Sequence, residues 1–173
     1  MTRKRGSRPT FIPKVSDLFT MRIVKQTLNA WEPFYDCVQV NFELQNSDID
    51  DEHPEWRVHW VFGVAMLRTI GHVLAKVDSG VSPKHMQVIN SHWKRWKVAK
   101  DDNWAFWDFI EDERNNILKA YKFGVDIDEH GLWHSGLGHD GLQLMREAAY
   151  WWRRQLINIE DEVSRQASVP RTK

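Results

Sequence analysis

The chain has 173 residues, of which 42% are hydrophobic, and its 24 Lys and Arg side chains balance 24 Asp and Glu side chains. This length supports one well-buried core and is too short to indicate two, so we predict a single soluble domain. The formal net charge of zero excludes a global field that would attract nucleic acid, so any polyanion binding would require a local basic surface.

The single cysteine and the N-terminal sequence indicate a compartment. Cys37 cannot form an internal disulfide or a zinc site of several thiolates, which fits the reducing cytoplasm, and it is best interpreted as a small core residue. No apolar segment typical of a signal peptide follows the basic start MTRKRGSRPTFIPK, and no run of about 18 uncharged apolar residues occurs. We therefore expect a cytoplasmic protein that does not span a membrane.

The two ends of the chain differ in composition from the rest. Residues 1–14 are rich in Arg, Lys and Pro, a composition that cannot bury enough surface to offset its ordering entropy. We predict a flexible basic arm over 1–14, one helical-bundle domain over 15–167 and a flexible tail over 168–173. The arm could bind phosphates, although a solvated tail is the commoner outcome.

The first part of the domain contains one helical and one ambiguous pattern. Ser16 and Asp17 open a helical pattern that Pro33 should end near Trp31. The next segment, CVQVNFELQ, alternates strictly between apolar and polar residues, as a strand does. No other run offers it a strand to pair with, and a lone strand leaves its backbone groups unsatisfied. We therefore favour a helix there and expect at most one short strand in the protein.

A long apolar helix is predicted to begin at Pro54 and to run to about Asp78, at the centre of the bundle. Arg68, His72 and Lys76 lie four residues apart and share one face of this helix. They could line a site, with Arg68 and His72 contacting RNA, or they could simply form the solvent edge of the helix.

Ser82 and Pro83 open the next predicted helix, which carries a basic segment, HWKRWKVAK. Basic residues interleaved with aromatic ones can hold single-stranded nucleic acid, which makes Lys94, Arg95 and Lys97 candidates for RNA binding. The alternative is that Trp93 and Trp96 belong to the apolar stripe of the helix and that the cations are a solvated face.

The segment DIDEHGLWHSGLGHDG holds four glycines and three histidines and is predicted to be a long loop. His134 and His139 could ligate a metal together with Glu129, but their spacing matches no established ligand pair. We therefore predict no metal site and no cofactor. The final helix, about 140–167, repeats apolar residues at alternating spacings of three and four, which predicts a seam within a bundle or between two protomers.

The next helix is predicted to begin after Asn103, its N-cap, and to end with a glycine C-cap at Phe123-Gly124. Arg114 is an unexpected residue within this helix. At 100° per residue, Arg114 falls inside a face made of Phe106, Phe109, Ile117 and other apolar residues. An arginine in that position needs a carboxylate, a backbone acceptor or a ligand, because a buried unpaired charge is costly. It is either paired with a glutamate of a neighbouring helix or part of a site.

The stretch RNNILKAY, which begins at Arg114, resembles the signature of the HEPN superfamily, in which an arginine precedes a histidine by four to six residues. In the HEPN toxins that are paired with nucleotidyltransferase antitoxins, the pattern is Arg, four residues, His, one residue, Tyr. Arg114, Asn115 and Tyr121 occupy their places in this pattern, and Lys119 stands where the family has histidine. The resemblance implies an all-α bundle, and it implies catalytic roles for Arg114, Asn115, Lys119 and Tyr121.

The same resemblance implies that two protomers meet in a cleft and cleave RNA without a metal. Lys119 can supply a cation there, but it can act as a base only if its environment lowers its pKa by several units. His72 or a histidine of the 130–139 loop could replace the missing group. The prediction is therefore an all-α, HEPN-like bundle of about five or six helices that forms a homodimer with a cognate antitoxin or effector. It acts on or binds RNA, as a metal-independent endoribonuclease would, in a prokaryotic defence or toxin-antitoxin system. The alternative is a catalytically inactive protein with a binding, regulatory or assembly role.

Overall fold

In the computed structural model of the chain, the residues described are 26–47, 49, 54–129 and 131–167. They form five α-helices around one hydrophobic core, together with a three-stranded antiparallel sheet of order β1-β2-β3. This confirms the predicted mainly α-helical bundle for the part of the chain described. The elements are α1 (Trp31–Asn46), α2 (Glu55–Lys76), α3 (Pro83–Val98), α4 (Glu111–Ala120), β1 (Val125–Asp128), β2 (Gly131–His134), β3 (His139–Asp140) and α5 (Gly141–Ala167).

Helix α1 begins at the residue where the sequence predicted a helix to end. Residues 26–30 are not helical, and Pro33 lies in the first turn of α1 instead of terminating an earlier helix. Proline is tolerated there because the first backbone N–H groups of a helix have no intrahelical acceptor. The rest of the helix predicted from Ser16, the arm over 1–14 and the tail over 168–173 lie outside the residues described.

The ambiguous segment from Cys37 to Gln45 is helical throughout, as favoured from the sequence. Its apolar side chains Val38, Val40 and Leu44 are buried, while Phe42 is 43% exposed. The strict alternation of residue types therefore coincides with a helix that packs most closely on α2.

Helix α2 is the central helix of the fold, and it packs against α1, α4 and α5. Its buried residues include Trp60, Leu67 and Ile70, which confirms the predicted central position. The segment Glu55–Gly80 is, by length and composition alone, apolar enough to cross a membrane. That is weak evidence for a membrane span, because the core helix of a globular bundle has the same composition.

Helices α3 and α5 complete the core with tryptophans. Ser82 caps α3 by accepting a hydrogen bond from the His85 N–H at 3.3 Å, with Pro83 in the first position, as predicted. Trp96 of α3 packs on Trp151 and Trp152 of α5, with ring centroids 5.2 and 5.8 Å away. The predicted seam of α5 is confirmed as a core face, because its central residues Met145, Trp152, Leu156 and Ile159 are fully buried.

The glycine-rich segment predicted to be a loop is instead a small sheet. β1 pairs antiparallel with β2, Val125 opposite His134, and β2 pairs with β3. Glycines at 131 and 138 have positive φ values of 106° and 64°, which allow the chain to turn between the strands. Strands of two to four residues are too short to show an alternating pattern, and the expectation of at most one short strand is wrong for this reason.

Two buried carboxylates hold the segment that leads into α1. Asp78 accepts hydrogen bonds from the backbone N–H groups of Asn29 and Ala30, at 2.7 and 3.0 Å. Glu160 of α5 accepts from the Leu28 N–H at 3.1 Å and from the Thr27 N–H. These carboxylates satisfy backbone donors just before and at the start of the helix, where an intrahelical partner is missing.

Candidate functional site

A π-helical segment, Ala105–Ile110, precedes α4. On a projection of about 100° per residue, Glu113 lies between Phe109 and Ile110 on the same side of the helix, and it is buried at 2% exposure. Arg114 is half-buried, and Leu118 and Tyr121, which were also placed on the apolar face, are 64% and 70% exposed. The predicted apolar face is therefore too broad, and Arg114 lies at the edge of the buried side instead of inside it.

The ends of this helical region also differ from the prediction. Asn103 does not cap a helix; its side-chain amide donates to the Ala99 carbonyl at 2.7 Å and its Oδ1 accepts from the Trp151 indole at 3.1 Å. Helix α4 ends at Ala120, and its C-cap is Tyr121 instead of Gly124, because Tyr121 adopts the left-handed conformation with φ 49° and ψ 42°. The Tyr121 N–H donates to the Ile117 carbonyl at 2.9 Å, which closes the last turn.

Between α2 and α4 lies a cleft of about 240 Å³ that brings together three residues singled out from the sequence. Arg68 and His72 come from α2 and Arg114 comes from α4. We refer to this site as the basic cleft, and its remaining walls are Val61, Val64, Ala65, Thr69, Ile117 and Leu118. An apolar floor with a few convergent polar groups is the usual composition of a ligand site.

The two arginines of the basic cleft are oriented by different partners. The Arg68 Nε lies 2.8 Å from Glu111 Oε2, and its guanidinium carbon lies 5.8 Å from the centroid of the Phe106 ring. Arg114 Nη1 donates to Asn115 Oδ1 at 2.9 Å. The expected pairing of an arginine with a glutamate of a neighbouring helix thus occurs at Arg68, and Arg114 is positioned by the amide next to it.

The basic cleft has the groups that a phosphate diester would require. Two planar guanidinium groups can bind phosphate oxygens, and they do so with directional hydrogen bonds. The His72 imidazole is exposed at the same cleft, and a side chain of this kind can accept or donate a proton near neutral pH. The arrangement can therefore bind an anion and exchange a proton with it.

The other residues implied by the resemblance take different places. Asn115 contacts Arg114, as described, and does not line the cleft. Lys119 is exposed, and Tyr121 is 70% exposed; neither is among the residues that line the cleft. The residue at the histidine position of the motif is therefore not brought to Arg114, whereas His72, considered from the sequence as its replacement, is.

The basic segment of α3 forms a surface of its own, and Lys94, Arg95 and Lys97 are all exposed. Their tryptophan neighbours are core residues: Trp96 is 3% exposed, and Trp93 packs on Trp96 at 4.8 Å. None of the three cations lines the basic cleft. The interpretation of this segment as a stacking platform for bases is therefore wrong, and a solvated basic face remains.

Arg95 and the buried His92 both contact Glu162 of α5. His92 Nε2 and Arg95 Nη2 each lie 3.0 Å from Glu162 Oε2. Burial and the nearby charge of Arg95 lower the pKa of His92, more than the contact with Glu162 raises it. Partial burial alone would raise the pKa of the Glu162 carboxyl, but hydrogen bonds from Arg95 and His92 outweigh it, so this pKa lies below its ordinary value.

We expect this cluster to make folding sensitive to acid. Both folded-state pKa values lie below the ordinary ones, so the unfolded chain binds more protons as the pH falls, first at histidine and then at glutamate. The free energy of unfolding, measured by urea denaturation, should therefore decrease between about pH 7 and about pH 4. His92→Gln should flatten the upper part of this curve. An unchanged slope in the variant would contradict the assignment to His92.

Sequence reasoning missed a buried pair, Glu113 and His134. Glu113 Oε1 accepts from the Trp60 indole at 2.8 Å and from the Gly124 N–H at 2.9 Å. Its Oε2 lies 3.6 Å from His134 Nε2. His134 Nδ1 accepts from the Leu137 N–H at 3.1 Å, which leaves the proton of a neutral ring on Nε2, facing Glu113. The pair joins α2, α4 and the sheet.

Of these two residues, only His134 was a candidate from the sequence. His134 is close in the chain to Glu129 and His139, which made these three residues candidate metal ligands. The structure pairs His134 with Glu113, and within the described ranges no group of three or more His, Cys, Asp or Glu side chains is placed to hold a metal ion. His130 lies outside the residues described.

Comparison of the chain with protein-family models, with curated proteins and with solved structures finds no match.

Proposed function

We propose that this protein is a HEPN-like domain protein of the cytoplasm that binds RNA in the basic cleft and cleaves it without a metal ion. One observation supports the proposal above all: Arg68, His72 and Arg114, chosen from two separate segments of the sequence, line the same cleft. The motif resemblance at Arg114 supplies the class of substrate, and the charges and the histidine of the cleft suit its chemistry.

In the proposed reaction, the His72 imidazole takes the proton from a ribose 2′-hydroxyl. The 2′-oxygen then forms a bond to the adjacent phosphorus while the bond to the 5′-oxygen of the next nucleotide breaks. That leaving oxygen takes a proton from water, and the hydroxide ion that remains takes the proton from His72. The products are a 2′,3′-cyclic phosphate and a 5′-hydroxyl, and His72 is neutral again. Arg68 and Arg114 hold the phosphate oxygens, on which negative charge increases in the transition state.

The test is to incubate the purified protein with an unstructured RNA in the presence of EDTA and to identify the product ends. Loss of a general base should slow cleavage by roughly 10²- to 10⁴-fold, so His72→Asn should cut far more slowly but still bind the RNA. His59→Asn is the matched control on the same helix, because His59 does not line the cleft. Equal cleavage by wild type and His72→Asn would contradict the role of His72.

A second function is favoured by the position of Lys119. The residue that stands where the family has histidine is exposed and does not line the cleft, as expected for a relative that binds RNA without cutting it. In that case the wild-type protein retains RNA on a filter, and no product with a cyclic phosphate forms at any protein concentration. Arg114→Ala would still weaken retention.

We also propose that the protein is a homodimer, with a cognate antitoxin or effector as the alternative partner. Three large apolar side chains on the outer faces of α2 and α4 are unusually exposed: Val58 at 70%, Phe62 at 46% and Leu118 at 64%. Phe62→Lys should lower the mass measured by analytical ultracentrifugation to that of a monomer, because a charge would be desolvated in the interface. Val98→Lys, at a residue of α3 that is 89% exposed, should leave the mass unchanged. A monomeric wild type would refute the dimer.

A further inference from the structure

Beyond the basic cleft, the contact between α2 and the segment that follows α4 is made by aromatic rings. The two helices run antiparallel, because Arg68 contacts Glu111 at one end while Trp56 contacts Phe123 at the other. The edge of α2 from Arg57 to His72 is about 22 Å long at 1.5 Å per residue. At about 3.4 Å per nucleotide of a stacked strand, this length corresponds to roughly six nucleotides.

Three rings lead from the core to the solvent at this end, which we call the aromatic end: Trp56, Phe123 and Tyr121. The Trp56 and Phe123 centroids lie 6.2 Å apart, and those of Phe123 and Tyr121 lie 5.1 Å apart, both edge to face. Trp56 is 2% exposed and Tyr121 is 70% exposed. The outer ring is thus supported from behind, while most of its surface remains open to solvent.

Tyr121 is also the only non-glycine residue with a positive φ among the residues described. A glycine or an asparagine adopts this conformation at the end of a helix at lower cost than an aromatic residue does. The exposed tyrosine therefore contributes little burial to the fold at a position where its backbone is strained. Such outliers are often found where a residue serves a ligand.

The charges around the aromatic end suit a nucleic acid strand. Arg57, next to Trp56, and Lys122, between Tyr121 and Phe123, are exposed, and Glu55 is the exposed carboxylate of the first turn of α2. The Arg57 guanidinium carbon lies 5.3 Å from the centroid of the Trp56 ring. Bases stack on aromatic faces with little sequence preference, since every base has a π-face, and neighbouring cations hold the backbone.

We propose that Tyr121 is a stacking subsite for an unpaired base of RNA whose phosphate lies in the basic cleft. This inference rests on the proposed function and specifies its substrate as single-stranded, because the bases of a duplex are stacked on one another and cannot reach the ring. In this role Tyr121 acts through its ring and not through its hydroxyl group.

The test measures fluorescence anisotropy of a labelled strand of about ten uridines and of a ribose-phosphate strand of equal length without bases. Tyr121→Gly removes the ring and suits the left-handed backbone, so its melting temperature should not fall. It should bind the uridine strand about 5- to 150-fold more weakly than wild type, and the abasic strand equally well. Tyr121→Phe should bind both strands within about twofold of wild type.

Each other result has a defined meaning. If Tyr121→Gly binds the uridine strand as wild type does, while Arg114→Ala loses it, the stacking subsite is refuted and the proposed function stands. Stacking is also refuted if Tyr121→Gly weakens binding of the uridine strand and of the abasic strand equally. The same holds if wild type binds a hairpin duplex as tightly as the uridine strand. If wild type neither binds nor cuts any strand, the proposed function and the subsite are both overturned.

Discussion

Arg114→Ala is expected to abolish RNA cleavage, or to weaken RNA binding by about 10- to 150-fold, with little change in the melting temperature. A hydrogen bond to a charged group contributes about 1.5–3 kcal/mol, which corresponds to that range. The fold should survive because Arg114 is only half-buried, and its hydrogen bond goes to the neighbouring Asn115 rather than to a core carboxylate. Filter binding and thermal denaturation of the same preparation measure both effects.

Lys119→Ala is the matched control, because it removes one cation from the same helix at a position outside the cleft. Its binding and cleavage should stay close to wild type, which would also show that Lys119 does not replace the family histidine. The opposite pattern, in which Arg114→Ala melts early and wild type retains no RNA, would leave Arg114 as a structural residue and remove the RNA proposal.

Gly124→Ala is expected to destabilise the protein by about 3 kcal/mol through the Glu113–His134 pair. A Cβ at this position would lie 2.4 Å from His134 Nε2 and 2.5 Å from Glu113 Oε2, so both side chains would have to move. Overpacking costs about 1–3 kcal/mol, and displacing a buried carboxylate from its donors costs about as much again. Urea denaturation monitored by tryptophan fluorescence measures the loss.

Gly136→Ala is its control in the same part of the fold. A Cβ there would lie 3.5 Å from the His134 ring, an ordinary contact, so the free energy of unfolding should change by less than about 1 kcal/mol. Equal stability of the two alanine variants would show that the Glu113–His134 pair adjusts freely and contributes little to the fold.

The elements that the sequence predicted well are those with local causes. Ser82 and Pro83 place the start of α3 because a capping side chain and a fixed φ act within one turn. The apolar content of α2 predicts its central position, because a helix that is apolar around most of its girth must be covered on most sides. Helix α1 is the exception, because a non-local argument, the absence of a pairing partner, favours a helix over its alternating pattern. The described residues do contain three short strands, but they pair with one another and not with this segment.

The errors have non-local causes. Glu113 lies on the apolar side of α4, but a helical projection does not show what would pair with its carboxylate. The Trp60 indole and the Gly124 N–H that donate to it come from other parts of the chain. Similarly, the partner of His134 is 21 positions away in the chain, and only the folded sheet brings the two side chains together.

The candidate site could be predicted from the sequence in part. Arg68 and His72 were recognised as sharing one face of a helix, and Arg114 was recognised from its motif. That these residues line one cleft depends on α2 and α4 packing antiparallel, and periodicity shows that a helix has an apolar face without showing which helix covers it. The prediction that the tryptophans of the basic segment stack on bases was wrong for a related reason. Trp96 is buried in the core and Trp93 packs against it, which the pattern of one helix does not show.

The two carboxylates before α1 also constrain the order in which the chain can assemble. Glu160 contacts Leu28 across 132 positions of sequence, whereas Asp78 contacts Ala30 across 48. As the chain emerges from the ribosome, α1 and α2 can pair early, and Asp78 can secure the start of α1 soon afterwards. The second anchor has to wait until α5 has been synthesised, and closing so long a loop is slow. Until α5 docks, the backbone N–H groups of Thr27 and Leu28 would therefore lack the carboxylate that accepts from them in the folded protein.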